Sequence, residues 1–284
     1  MDVEPVERDS RGILDPWLLR QRIQLTRYPA TKPLDGLIDR FWAVRWDFPP
    51  GIVHRQQVLT HPSANISVGH PNGSETESAE IGPIEARLNG VARRLTTRVL
   101  TGQGWTVAAM TTPGGLGAFV DGAAARFADR IVPLGEATRI DEAALLRDVE
   151  AQPDEGGRVA VLAAALERAI DPGKVADARR TADAARLAET DRSMRRLDEL
   201  CARTGISQRT LQRMFAQHVG VSPTWVLRRY RLLEAGEAAR GGEQVGWADV
   251  AAALGYADQA HLVRDFRHAF GTTPAAYAKT QPPD

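Results

Sequence analysis

The sequence predicts an α+β protein of two domains, with a β-rich amino-terminal domain, a helical connector and an all-α carboxy-terminal module. Three observations carry this. Short runs of β-branched and aromatic residues, separated by turn-forming clusters, fill the first half. Near Ile140 the composition changes to Ala-, Leu-, Arg- and Glu-rich stretches with apolar residues at helical spacing. The last hundred or so residues contain an internal repeat. A chain of 284 residues has room for two cores. Its 43% hydrophobic and 25% charged residues are the balance of a packed protein, neither disordered nor fibrous.

Taken in order, residues 1–15 read as a flexible start in which acids, a proline and arginines alternate. No apolar run follows that could act as a secretory leader or span a bilayer, so a cytoplasmic protein with no membrane partner is expected. Residues 16–140 read as the β-rich domain. Within it, 37–48 mixes aromatic and β-branched residues with alternating Arg and Asp and stops at Pro49-Pro50-Gly51, which predicts a strand. Further strand-like runs lie at 57–60, Asn65–Gly69, 95–101 and 105–111, between turn clusters such as His70-Pro71-Asn72-Gly73 and Thr112-Pro113-Gly114-Gly115. Several short strands at such spacing favour a small barrel or sandwich. Residues 141–190 read as the helical connector, with helices over 141–151, 154–170 and 175–189. These are separated by Pro153, Gly156-Gly157 and Asp171-Pro172-Gly173. The carboxy-terminal module occupies 191–280.

Two segments of that module coincide when laid over one another. An offset of 51 joins Leu211 to Leu262, Arg213 to Arg264, Phe215 to Phe266, Gly220 to Gly271 and Pro223 to Pro274. Ahead of the turn the offset is 50, pairing Leu197 with Trp247, Leu200 with Val250 and Gly205 with Gly255, so the second turn holds one extra residue. Each copy is thus a helix, a glycine turn and a longer second helix. Gly205 and Gly255 can take the positive φ of a tight helix–helix turn, and flanking apolar positions fix a steep angle that pushes the second helix outward. Ser207 and Asp258 stand where N-caps would start the second helices. In the first, Leu211, Met214 and Phe215 supply a buried face, while Gln208, Arg209, Gln212 and Arg213 face outward. Arg can bridge guanine O6 and N7, and Gln can pair with adenine N6 and N7, which is what a helix entering a major groove needs.

A formal net charge of zero hides an uneven distribution. From Asp191 onward there are 13 Lys and Arg against 10 Asp and Glu. Residues 200–233 contain no acid but carry Arg203, Arg209, Arg213, Arg228, Arg229 and Arg231. Residues 223–240 read as a rigid helix that spaces the two units. Its arginines are expected to touch phosphate or solvent rather than bases.

At this point SMRRLDELCARTGISQRTLQRMFAQHVGVSPTWVLRRYRLLEA and VGWADVAAALGYADQAHLVRDFRHAFGTTPAAY resemble the AraC-type DNA-binding domain. The resemblance runs over 194–277 and includes the diagnostic run ALGYADQAHLVRDFRHAFGTTPAAY at 253–277. It implies a seven-helix module with two helix-turn-helix units that controls transcription from double-stranded promoter DNA, with RNA polymerase as a partner and a homodimer as the assembly. The positions that meet bases in related proteins fall on Arg209, Gln212 and Arg213 in the first unit and on Ala260 and Arg264 in the second. Ala260 departs from the pattern, since a methyl group offers only a contact such as that to thymine, which leaves Arg264 with Gln259 or His261 to read bases. The candidate DNA-binding set is Ser207, Gln208, Arg209, Thr210, Gln212, Arg213, Asp258, Gln259, Ala260, His261 and Arg264. The amino-terminal part, through RFWAVRW, the TPGG turn at 112–115 and PLGEA at 133–137, resembles the β-rich, cupin-like barrel that precedes this module in many bacterial regulators. Such domains hold a small-molecule effector or form a dimer. A ligand-responsive regulator therefore stands beside a DNA-binding protein whose amino-terminal domain only contacts other proteins. Trp17, Trp42, Trp46 and Trp105 fit either a pocket lining or a core.

No catalytic residue, cofactor or metal is expected. His54, His61 and His70 lie in one β-rich region but lack a His-x-His pair with a following Glu. There is no G-x-S-x-G elbow, and the run Gly114-Gly115-Leu116-Gly117 lacks the Lys-Ser/Thr of a phosphate loop. The only cysteine, Cys201, sits in an apolar helical pattern beside Leu197 and Leu200 and reads as core. That excludes an intrachain disulfide, a Cys-rich zinc site and methyl-accepting repair chemistry.

Overall fold

Alternation of period two gives each strand two faces, and the computed structural model shows what each face covers. The structure describes residues 13, 23–71, 82–191, 194–240 and 246–280. The flexible start expected over 1–15, apart from Ile13, lies outside them, as do Trp17 and the Asn72-Gly73 half of the first turn. The strands are β1 (Ile23–Pro29), β2 (Ile38–Asp47), β3 (Val53–Val58), β4 (Asn65–Gly69), β5 (Glu85–Asn89), β6 (Thr96–Thr101), β7 (Gln103–Thr111) and β8 (Ile131–Pro133). Six of them form an antiparallel sheet in the order β1-β2-β7-β4-β5-β8, while β3 and β6 pair as a separate ribbon. The expected barrel is therefore an open one, two sheets facing each other across a cavity.

One face of the large sheet, through Phe41, Ala43, Ile66, Leu88, Val107 and Ala109, packs in a core with helical residues Leu145, Val149, Leu162 and Leu166. The alternate residues of the same strands, among them Trp42, Val44, Ser67, Arg87 and Met110, line the cavity. A register shift between Ile38 and Arg40 keeps Ile38 in the core while Arg40 faces the cavity. The sequence reading places a strand at 57–60, but pairing with β6 draws it back to Val53–Val58. It also misses β1, β5 and β8. The β5 segment EARLN has no β-branched residue and becomes a strand through its pairing between β4 and β8.

The connector helices are α1 (Leu134–Ala137), α2 (Glu142–Glu150), α3 (Glu155–Ala169) and α4 (Pro172–Thr190). Gly156-Gly157 and Pro172-Gly173, expected as breaks, lie in the first turns of α3 and α4, and the chain breaks at Pro153 and Asp171. Asp141, Asp154 and Asp171 cap the last three by accepting from the backbone N–H of Ala144, Gly157 and Gly173. Helix α4 is no loose tether. Ala178 lies in the first core, whereas Ala184, Ala185 and Ala188 lie in a second one with the carboxy-terminal module.

That module consists of α5 (Leu197–Thr204), α6 (Gln208–His218), α7 (Pro223–Arg240), α8 (Trp247–Ala253), α9 (Gln259–Phe270) and α10 (Pro274–Ala278). Counting α4, seven helices of the described residues surround the second core. The repeat is structural: Leu211, Leu262, Phe215 and Phe266 are all 0% exposed, and the turn glycines Gly205 and Gly255 have φ of +66° and +73°. The N-cap comes at Ser207, two residues after its glycine, in the first unit and at Asp258, three after, in the second. That single residue is the change of offset seen in the sequence. Cys201 is half-buried at the edge of this core rather than inside it.

Phe266 stacks on Phe270 with centroids 3.9 Å apart and also packs against Tyr277. Phe266→Ala is expected to destabilise the protein by about 3–5 kcal/mol, whereas the exposed Arg264→Ala should change stability by less than about 0.5 kcal/mol. Chemical denaturation of the two variants checks this, and comparable losses would contradict the packing described.

Candidate nucleic-acid interface and its contact with the β domain

Packing Leu211, Met214 and Phe215 inward leaves Gln208, Arg209, Gln212 and Arg213 exposed on the opposite side of α6. None of the four is engaged in an ion pair among the described residues, so their donors face solvent together. Ser207 accepts from the Thr210 N–H at 3.3 Å, and the two hydroxyls lie 2.9 Å apart. These two residues fix the amino terminus of α6, the end a recognition helix presents first.

The second unit is built alike but offers less. Asp258 caps α9 through the His261 N–H at 2.7 Å. Gln259, Ala260 and Arg264 are exposed. The half-buried His261 packs edge-on to Tyr256, and its Nε2 lies 4.0 Å from Asp265. Further along, Arg267 and His268 are exposed at the carboxy-terminal end of α9. Sequence reasoning passed over both, although their helical spacing from Arg264 places them near its face.

The acid-free arginine run does not survive folding as one patch. Arg203 pairs with Asp191 at 3.4 Å and Arg228 with Asp265 at 3.6 Å, and Arg231 donates to the Arg195 carbonyl. Arg229 overturns the expectation for the connecting helix outright. It is 3% exposed, donates to the Thr60 carbonyl at 3.2 Å and the Arg93 carbonyl at 2.6 Å, and lies over the Trp225 ring at 4.6 Å. Both carbonyls belong to the β domain. Burial pushes its pKa down to about 10, against the pull of Asp129, so it stays charged at neutral pH.

A second contact lies at the other end of α6. The glycine-rich run after the TPGG turn, with no phosphate-loop role, is where helices approach the β domain. A Cβ on Gly117 would stand 2.1 Å from His218 Nδ1, and one on Gly114 would stand 3.0 Å from the Ala178 carbonyl of α4. Gln217 adds a hydrogen bond from Nε2 to the Gly122 carbonyl at 3.2 Å. Helix α6 is thus docked on the β domain by its carboxy-terminal end, leaving its amino-terminal end outside.

Between the large sheet and the β3–β6 ribbon lies a cavity of about 360 Å³, within the range of small-molecule sites. Trp42 and Trp46 line it, and so do His61 and His70. Trp105 lies on the opposite face of the sheet, under the Arg158 guanidinium at 4.0 Å. His54 packs beside Phe48, and among the described residues no three metal-ligating side chains converge. Thr60 lines the cavity and also accepts from Arg229.

This architecture of two outward helices in duplicated units, fixed to a β-rich domain with a cavity, defines a DNA-binding regulator. Residues 200–280 match a helix-turn-helix domain family, and residues 26–133 match a domain of unknown function, DUF6597. The carboxy-terminal module is an AraC-type helix-turn-helix domain. Similar solved structures include ToxT from Vibrio cholerae at 1.65 Å resolution, 11% identical, covering 92% of this chain and 100% of that one, with a TM-score of 0.40. ToxT bound to (E)-4-(8-methylnaphthalen-1-yl)but-3-enoic acid is 12% identical over 91% of this chain and 98% of that one, again with a TM-score of 0.40. ToxT with a bound unsaturated fatty acid is 9% identical over 92% and 96%, with a TM-score of 0.37. Likeness at this distance carries nothing about ligand or partner. Among curated proteins nothing matches the chain. No helix of the described residues is long and apolar enough to cross a membrane.

His218 gives the domain contact a pH dependence. It is 4% exposed with Nδ1 unpartnered, and burial pushes its pKa below the usual 6.5, with Lys174 adding to that and Asp177 opposing it. A depressed histidine favours the folded state while neutral, so its stabilisation is complete above about pH 6.5 and is lost as pH falls through the folded value. The melting temperature should fall between about pH 7 and pH 5, and His218→Gln should flatten that part of the profile. An unchanged slope in the variant would exclude His218 as its source.

Proposed function

We propose that the chain is a sequence-specific regulator whose α6 and α9 enter successive major grooves of promoter DNA, under the control of a small molecule held in the β-domain cavity. The observation that carries the reading is the outer face of α6, where Gln208, Arg209, Gln212 and Arg213 stand exposed over a buried apolar face, with no ion pair among the described residues. Two such helices about 34 Å apart match one turn of duplex. The first unit supplies most of the base specificity through Arg209, Gln212 and Arg213. The second reads mainly through Arg264, with Gln259, and uses Ala260 for a methyl contact. Ser207, Thr210 and Asp258 orient the helix starts, and His261 is held toward Tyr256. Arg267 fits a phosphate contact, which sets register without reading sequence.

Control follows from the double engagement of Thr60, one side of which lines the cavity while its carbonyl holds the helix between the two units. A ligand that moves the end of β3 shifts the equilibrium between docked and released readers by its difference in affinity for the two. Homodimerisation on a symmetric operator and contact with RNA polymerase belong to the same proposal, as does work in the cytoplasm, where bacterial promoters lie. No catalytic step is part of it.

Selection of bound duplexes from random DNA by the full chain should enrich two half-motifs about one helical turn apart. Arg213→Ala should cost about 1–3 kcal/mol of discrimination at one base and Arg264→Ala less. A larger loss of preference in Arg264→Ala would reverse the assigned asymmetry, and the absence of any motif would overturn sequence reading. Affinity should fall steeply with salt, and Arg267→Ala should lower the slope of log affinity against log salt by about 1 while leaving the motif intact. A slope near zero in the parent chain would contradict a phosphate-binding face.

A further inference from the structure

The cavity has two unlike halves along the strand order. On the β1–β2 side its wall is apolar through Ile23, Leu25, Trp42, Val44 and Trp46, with Arg27 and Arg40 at the Pro29 end of the same pair. Both indole N–H groups are already used, Trp42 donating to Asn65 Oδ1 at 3.0 Å and Trp46 to the Thr101 carbonyl at 3.1 Å, so these rings offer only apolar surface. On the β4–β5 side the wall is polar, with Ser67, Glu85, Arg87 and Asn89. The ribbon adds Arg98 and Gln56, which are direct partners across β3 and β6 and line the same space.

These two residues are incompletely satisfied, in complementary ways. Arg98 donates to Asn89 Oδ1 at 3.3 Å, and among the described residues no carboxylate pairs with it. The acid of the polar wall, Glu85, is taken by Arg87. Burial and the neighbouring Arg87 charge both push the Arg98 pKa down, as they do for a cation without its counter-ion. Gln56 is 4% exposed. It gives Nε2–H to the Gln57 carbonyl at 3.1 Å, which fixes its amide and leaves Oε1 with no donor. Among the described residues a desolvated cation thus lacks an anion and a buried acceptor lacks a donor; each costs stability, and the two stand side by side on adjacent strands.

We propose that the cavity binds a small organic acid, with its oxyanion on Arg98, a hydroxyl donating to Gln56 beside it and an apolar body against Trp42 and Trp46. This rests on the reading of the cavity as the effector site and adds the chemical class. A planar guanidinium suits a two-oxygen head group, and the hydroxyl satisfies an acceptor that has no donor among the described residues.

Isothermal titration calorimetry of the full chain with 3-phenyllactate, 3-phenylpropanoate, 3-phenylpropanol and 3-phenylpropylamine separates the parts. The hydroxy acid should bind tightest, the plain acid several-fold more weakly, and the alcohol and amine about tenfold or more below the plain acid. Arg98→Met should abolish the preference for acid over alcohol. It should keep or raise the melting temperature of the free protein, because it removes an uncompensated charge. Arg98→Lys, should the Met variant not fold, should retain the preference with weaker binding. Equal binding of acid and alcohol by the parent chain, no binding of either acid, or acid preference surviving Arg98→Met would overturn the proposal. DNA affinity measured with the same compounds keeps the two readings apart. Acid binding that leaves DNA affinity unchanged supports the ligand class and removes effector control, while a neutral compound that binds and shifts DNA affinity does the reverse.

Discussion

A guanidinium taken out of water is costly unless its donors are met, and Arg229 meets them only by joining the two domains. Its donors reach the carbonyls of Thr60 and Arg93, two β-domain loops, and its flat face rests on Trp225 of its own helix. If the domains part, those carbonyls lose their donor, an unsatisfied burial worth about 1–3 kcal/mol each while they stay dry. The rest of the arrangement depends on this pairing. Helix α7 is packed through Val226, Leu227, Tyr230 and Leu233 into the core that carries both reading units, so fixing Arg229 fixes the whole module against the β domain.

The second contact acts on one unit only. The run from Gly114 to Gly117 has no side chains to keep α4 and α6 away, and the end of α6 settles on it through His218 and Gln217. The duplicated unit carries Ala269 and His268 at the corresponding positions, with His268 exposed. Two units of common design thus sit differently, one tied to the β domain and richer in exposed Arg and Gln, the other packed on α7, α8 and α10. The cavity adds the third element, because its wall at Thr60 is the same chain segment that grips Arg229.

Much of this was legible in the sequence where a repeated or periodic constraint applied. The offset of Phe215 to Phe266 and the glycines at 205 and 255 gave both units and even the extra residue of the second turn, because core packing and turn geometry act on neighbours in the chain. The exposed set on α6 followed from the same periodicity. What stayed hidden was long-range. Arg229 reads as one more solvent-facing arginine until the β domain supplies its carbonyls. Gly117 reads as loop until His218 lands on it. The β5 strand EARLN is made by its neighbours in the sheet and not by its own residues. Trp42 and Trp46 could have gone to core or cavity, and only the parity of β2 in a two-layer arrangement decides between them. The cavity's character was equally invisible, since Gln56 and Arg98 are brought together by a pairing across 42 residues of chain.

The central claim is that one buried arginine holds the helix-turn-helix module and the β domain as a unit. Hydrogen–deuterium exchange on the full chain, comparing Arg229→Met with the parent, tests it most directly. The account predicts faster exchange on both sides of the contact at once, in the segment from Val58 to Ser63 and in α7, while the cores around Phe41 and Phe266 keep their protection. Acceleration on one side only, or on neither, would contradict it.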